Sequence, residues 1–167
     1  MDSEFGALAD VSIVPFRGVL AEPASATICR TLRRSNAPDY DDSVIEHLTR
    51  QYSPIGVASK ANSSDLFVAL AGSEVVGTIA LETPGNDDRA WISACFVDPE
   101  HQRRGLGTRL LGVAEKLARA RGARIVSLRS SLTALKFYEA RGYSPVERVE
   151  DPAAGVAWVM EKGLSGA

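Results

Sequence analysis

The spacing of apolar residues changes period several times along the chain, and each change predicts an element. Val11 to Arg17 (V-S-I-V-P-F-R) alternates apolar with polar positions, the period of a strand, and Pro15 points to a sheet edge. Glu22 to Arg34 switches to helical spacing, with Ile28 and Leu32 four apart and Pro23 near the first turn. Ser35 to Asp39 breaks that helix. Asp41 or Asp42 caps a second one, which ends near Tyr52, ahead of Pro54. Ile55 to Ser64 is small and polar and reads as a loop.

Leu66 to Ala71 and Glu74 to Leu81 are apolar runs joined by Gly72-Ser73, a hairpin signal. Thr83 to Asp88 is a turn, and Ala90 to Val97 the next strand. Leu106, Leu110, Val113, Ala114 and Leu117 then recur at helical spacing, so a helix runs to about Arg121, with Gly122 just past its end. Arg124 to Arg129 reads as a strand and Thr133 to Ala140 as a short helix stopped by Gly142. Strands around Tyr143 to Val149 and Gly155 to Glu161 close the pattern. Strands and helices mix without strict alternation, which favours an α+β sheet over a doubly wound one.

A chain of 167 residues suits one domain, expected at 11–162. The first ten residues (M-D-S-E-F-G at their start) read as disordered or vector-derived, and 163–167 as a C-terminal tail. Hydrophobic content of 45% and charged content of 24% are those of a globular protein. No apolar run approaches the roughly 20 residues that span a bilayer, so no membrane association is expected, and a cytoplasmic location is the default. A net charge of −2 argues against a general nucleic-acid binder. Cys29 and Cys95 have no metal-like spacing and read as free thiols.

The stretch from Val97 to Leu111 carries the most chemistry. An apolar strand ends, a short polar turn follows, and Gly105 and Gly107 open the helix. The first amides of a helix have no intrahelical partner and carry the positive end of its dipole, so this turn is a seat for an anion, above all a phosphate. Glycine lets a diphosphate approach the backbone closely, and Arg103, Arg104 and Arg109 add positive charge. No Lys-Ser or Lys-Thr pair follows, as a P-loop requires, and Leu110 stands where a dinucleotide fingerprint needs Gly or Ala.

Gln102-Arg103-Arg104-Gly105-Leu106-Gly107 matches the Q/R-x-x-G-x-G/A signature of the GNAT acetyltransferase superfamily. About thirty residues on, Ala134 to Tyr143 (A-L-K-F-Y-E-A-R-G-Y) resembles that family's second hallmark, A-x-x-F-Y-x-x-x-G-F/Y. The resemblance spans roughly Val11 to Lys162. It implies a mixed, mostly antiparallel sheet flanked by helices, with two adjacent parallel strands splayed to admit acetyl-CoA. Backbone amides around Arg103, Arg104, Gly105, Leu106, Gly107 and Thr108 then hold the diphosphate, framed by Gln102. The pantetheine arm adds to the strand edge near Phe96 and Val97, where a backbone amide polarises the thioester. Tyr138 resembles the tyrosine that protonates the departing thiolate.

Two positions depart from the family pattern. Ser131 stands where asparagine is frequent and makes a shorter cofactor contact. Trp91 stands where some peptide-acetylating relatives carry a glutamate base. The remaining candidates to take the proton of an attacking amine are Glu82, at the end of the third strand, and a water chain. His47, on the second helix and so on the substrate side, is a weaker candidate; His101, beside the cofactor turn, reads as solvated, and Cys95 as a buried small side chain. Asp39, Asp41 and Asp42 either attract a cationic acceptor or cap helices. The expected activity is transfer of acetyl to a primary amine of a small molecule or peptide, with a homodimer admitted by analogy alone. A coenzyme A-binding sensor and a transferase of longer acyl groups are the alternatives.

Overall fold

The computed structural model describes residues 10–85 and 87–165. Of the ten residues expected to lie outside the domain, 1–9 fall outside the described ones. Seven strands form one sheet: β1 (Val11–Pro15), β2 (Asp65–Ala71), β3 (Glu74–Glu82), β4 (Arg89–Val97), β5 (Ile125–Ser131), β6 (Ser144–Asp151) and β7 (Gly155–Gly163). Their order is β1-β2-β3-β4-β5-β7-β6, antiparallel throughout except for the parallel pair β4–β5. β1 with its Pro15 is an edge strand, as its sequence predicts.

Helices cover both faces. On one, α4 (Leu106–Ala120) buries Leu106, Leu110, Leu111, Ala114 and Ala118 against Ile79, Leu81, Ile92, Val126 and Leu128. Each large apolar side chain so buried contributes about 1.5–3 kcal/mol. Gly77 of β3 permits this approach, since a Cβ there meets Leu110 Cδ1 and the Phe96 carbonyl at 3.1 Å. On the other face, α1 (Ala21–Thr31) sets Ala24 and Ile28 against Val68, Val75 and Ala80. Its buried hydroxyls are satisfied, with Thr27 donating to Val75 O at 2.7 Å and Ser25 to Tyr52 O at 2.6 Å.

α1 continues as one π-helical turn, Leu32–Asn36, before α2 (Asp42–Gln51). Tyr40 fastens the connection between them over the sheet: its hydroxyl donates to Val156 O at 2.7 Å and accepts from the Leu132 amide at 2.8 Å. Asp39 accepts a hydrogen bond from Thr133, so part of the acidic cluster serves to tie this connection down.

Two expectations need correction. The stretch read as a loop at Ile55 to Ser64 is a helix, α3 (Pro54–Ser63). Its composition hides it, because only Val57 is buried. Its start is nevertheless written in Ser53-Pro54: Ser53 Oγ accepts from the Gly56 amide, and Pro54 opens the first turn. Gly56 allows α3 to begin directly against α2, where a Cβ would lie 2.0 Å from Gln51 O. At the other end the fold reaches past Lys162. β7 runs to Gly163, and Leu164 is buried with its amide on Arg124 O at 2.7 Å.

Candidate functional site

The site begins where two strands part. β4 and β5 are paired from Arg89↔Ile125 to Ile92↔Leu128 and no further, while β5 continues along β7 to Ser131↔Ala157. The cause is a bulge in β4. Its register against β3 shifts between Ala80↔Ser93 and Thr78↔Phe96, and Ala94 sits at φ 50°, in the left-handed region. Beyond the bulge the Asp98 amide is bonded to Val76 O, on β3. The alternation of a strand turns the Phe96 amide the same way and leaves the amides of Cys95 and Val97 facing the opened gap. The free edge expected near Phe96 and Val97 is therefore presented by Cys95 and Val97, while the Phe96 ring packs edge-on against Tyr52.

Past Val97 the chain makes a short 3₁₀ turn, Pro99–His101, and enters α4 through Arg103 at φ 63° and Gly105 at φ 85°. Two left-handed residues so close turn successive amides toward one side, the shape of an anion-binding concavity. Gly105 stands at the cap position without a side chain to satisfy the first-turn amides of Leu106, Gly107 and Thr108. Gln102 frames the turn, its Nε2 donating to Val97 O and Ser35 Oγ, each at 3.0 Å. Arg103 and Arg104 are exposed beside it. Arg109 instead reaches Val11 O at 3.0 Å, toward β1.

A buried carboxylate anchors this turn. Asp98, 2% exposed, takes Arg30 of α1 through Nε at 2.7 Å and Nη2 at 2.6 Å. His101 Nδ1 lies 3.0 Å from its other oxygen, and the Glu100 amide also donates there. Burial opposes the charge, but the hydrogen bonds from His101 and Arg30 and the Arg30 charge outweigh it and hold the carboxyl below its usual range. His101, expected to be solvated, is thus partly covered and bound.

The second motif lies across the gap on α5 (Leu135–Glu139). Tyr138 is 6% exposed, and its hydroxyl faces the Cys95 thiol. Burial, with Cys95, Tyr143 and Tyr52 adding to it, raises the phenol well above its ordinary pKa, and burial lifts the Cys95 thiol to about 11. Both groups keep their protons at neutral pH, so Cys95 is no nucleophile. Ser131 Oγ accepts from the Ala134 amide at 3.2 Å, capping the turn into α5. Arg141, which the sequence reading passed over although it lies inside the motif, stacks its guanidinium 3.9 Å above the Phe137 ring. It also donates to Thr108 Oγ1 at 2.7 Å. The helix opened by the glycines and the second motif are thereby one unit.

Glu82 is not brought to Tyr138. It pairs with Trp91 in the ladder and with Lys60 of α3 at 3.5 Å. Trp91 and Cys95 are four positions apart, about 13 Å along the strand. His47 is half-buried on α2, within electrostatic reach of Asp151.

A family model described as the acetyltransferase (GNAT) family matches residues 27–143, well over half of the chain. The chain belongs to the GNAT acetyltransferase family. Among solved structures, a GCN5-related N-acetyltransferase from Rhodopseudomonas palustris is 25% identical. The match covers 92% of this chain and 95% of that one with a TM-score of 0.83. PaiA N-acetyltransferase from Thermoplasma acidophilum, solved with coenzyme A, is 22% identical over 92% and 99% of the two chains, with a TM-score of 0.77. The ribosomal-protein-S18-alanine N-acetyltransferase from Escherichia coli is 19% identical over 94% and 96%, with a TM-score of 0.69. No curated protein is similar enough to count as a match.

GNAT enzymes use acetyl-CoA, and the residues present fit it: uncapped amides at 106–108, flanking arginines, and a free strand edge leading into the gap. One expectation about this cradle changes. The space above Gly107 is not open to a diphosphate, because a Cβ there lies 2.8 Å from Phe137 Cζ and 3.1 Å from Cε2. Gly107 is required by the close packing of α4 on α5.

Gly107→Ala is accordingly predicted to cost about 1–3 kcal/mol by overpacking against Phe137. Urea unfolding measures it, and recovery of stability in a Gly107→Ala, Phe137→Leu double variant identifies the ring as the cause. Asp98→Asn is predicted to cost about 2 kcal/mol at pH 7 by leaving Arg30 without its charge partner. Since the folded pKa of Asp98 is depressed, its contribution is complete above the unfolded value near 4 and fades as pH falls through the folded value. The difference between wild type and Asp98→Asn should shrink toward pH 3, and a constant difference contradicts this assignment.

Proposed function

We propose that this acetyltransferase acts on nitrogen, transferring acetyl directly to a primary amine of a small molecule or peptide within a ternary complex. The observation that carries the reading is the Tyr138 hydroxyl facing Cys95 at the strand edge where β4 leaves β5. Acetyl-CoA supplies an acetyl group already activated as a thioester. The chain's own residues do the rest. The first-turn amides of α4 bind and orient the diphosphate. The amides of Cys95 and Val97 face the gap, where one of them polarises the acetyl carbonyl. Tyr138 holds a proton where charge develops on sulfur.

The balance is simple. A C–N bond forms, the C–S bond breaks, water in the open cleft takes the amine's proton, and Tyr138 protonates the thiolate before being reprotonated from solvent. Glu82 enters this scheme only through water, because Lys60 holds it at a distance along the ladder.

The first test is thermal unfolding with and without acetyl-CoA. At about 100 times its dissociation constant the ligand should add roughly 2.7 kcal/mol to the native state, and an unchanged midpoint at millimolar ligand defeats the cofactor assignment. Tyr138→Phe should lower kcat on the order of 100-fold with acetyl-CoA affinity preserved. Unchanged turnover would reduce Tyr138 to a packing residue.

A further inference from the structure

Ser93 and Arg129 occupy the point where the strands separate. The last parallel rung is Ile92↔Leu128, so they are the next residue on each strand. Residues directly opposite in a ladder share a face, and that face recurs every second residue. The rungs Ala90↔Val126 and Ile92↔Leu128 point into the core beneath α4. Trp91↔Ser127 points the other way, and Ser93 and Arg129 follow it, on the face covered elsewhere by α1 and α3. Ser93 is also opposite Ala80, which packs in the α1 cluster. The two side chains therefore stand across the sheet from Tyr138, on the acceptor side of the gap.

Neither side chain makes a hydrogen bond or ion pair among the described residues. Among the described residues, Ser93 Oγ is a buried side-chain oxygen with no hydrogen bond, a vacancy that costs about 1–3 kcal/mol unless something fills it. Arg129 is exposed and makes no hydrogen bond or ion pair among the described residues. Arg89, also on this face, is engaged through Nη1 by Ser127 and Glu161. Asp151 lies within electrostatic reach of Arg129 and of His47, but already accepts from the amides of Ala153 and Ala154; by register Glu161 and Glu147 share this face as well. Half-buried Trp91, one face-step down the strand, offers an apolar floor beside them.

We infer that Ser93 and Arg129 select an acceptor amine that carries its own carboxylate, a free amino acid or a close relative of one. This inference rests on the acetyltransferase reading and narrows its substrate class. The Arg129 guanidinium takes the carboxylate as a charge-assisted pair. Ser93 Oγ accepts an N–H of the amine and holds it at the mouth of the gap, and the acceptor's side chain lies over Trp91. A peptide N-terminus lacks the adjacent carboxylate and is disfavoured.

The test uses calorimetry on the full chain saturated with coenzyme A, so that it reads binding and not turnover. The probes are L-phenylalanine against phenethylamine, L-leucine against isoamylamine, and L-lysine against cadaverine, with L-leucinamide as the peptide-like control. At least one amino acid should bind about tenfold or more tightly than its decarboxylated partner. Arg129→Gln should erase that ratio, Arg129→Lys should keep part of it, and Ser93→Ala should weaken both members of the pair alike, each with coenzyme A affinity unchanged. Equal or tighter binding of the amines or of leucinamide overturns the inference. So does a ratio that survives Arg129→Gln, or coenzyme A binding with no binding of any probe. Failure to bind coenzyme A is a different result: it overturns the acetyltransferase site itself, and this inference with it.

Discussion

The Thr78 hydroxyl donates to the Ala94 carbonyl at 2.7 Å, fully buried, and the cleft depends on that bond. Ala94 carries a left-handed backbone, which disfavours any residue with a Cβ and persists only where the surroundings hold it. Thr78 does so from β3, the strand against which β4 loses one step of register. Without the bulge, β4 would go on pairing with β5, and no edge amides would be free. With it, the strand bends away after Ile92, and the residues beyond it carry the chain into the turn that opens α4.

The same bulge separates two chemical environments. Below the sheet, under α4 and α5, Cys95, Tyr138 and Tyr143 lie together, with Tyr138 edge-on to Phe137 and Tyr143 at 5.1 and 5.7 Å. Burial there favours neutral forms, so the phenol and the thiol stay protonated. Above it lie half-buried Trp91, Ser93 with its buried hydroxyl, and exposed Arg129. Tyr52, its phenol lifted by burial to about 12, lies close enough to influence Tyr138 across the gap. The opening between β4 and β5 therefore lies between a side where burial favours neutral groups and a side that carries the exposed Arg129.

Much of this was legible in the sequence because it is local. The strand, polar turn and glycine-opened helix from Val97 to Leu111 follow from spacing alone, and the two motifs identified the family resemblance. What escaped was set by contacts between distant segments. α3 is almost unpatterned because a single valine anchors it. Gly107 reads as a phosphate glycine until Phe137, thirty residues on, is seen against it. The Asp98–Arg30 pair joins residues 68 apart, and nothing in either neighbourhood announces the other. Arg129 and Ser93 look ordinary in sequence, because their importance comes from being next to the last rung of a parallel pair.

These contacts also bear on how protons move in the proposed reaction. The acid is fixed: a buried phenol on α5, positioned by the rings around it. Among the described residues the groups that act on it are Cys95, Tyr143 and Tyr52, with no carboxylate, and Lys60 engages Glu82. A buried base opposite the phenol would bring a second ionisable group into a poorly solvated gap, where its charge would be costly. Leaving proton removal to water on the acceptor side avoids that cost and keeps the ionising step where solvent can stabilise it. In the proposed reaction the apolar floor at Trp91 and the exposed guanidinium at Arg129 are then left to recognise the acceptor.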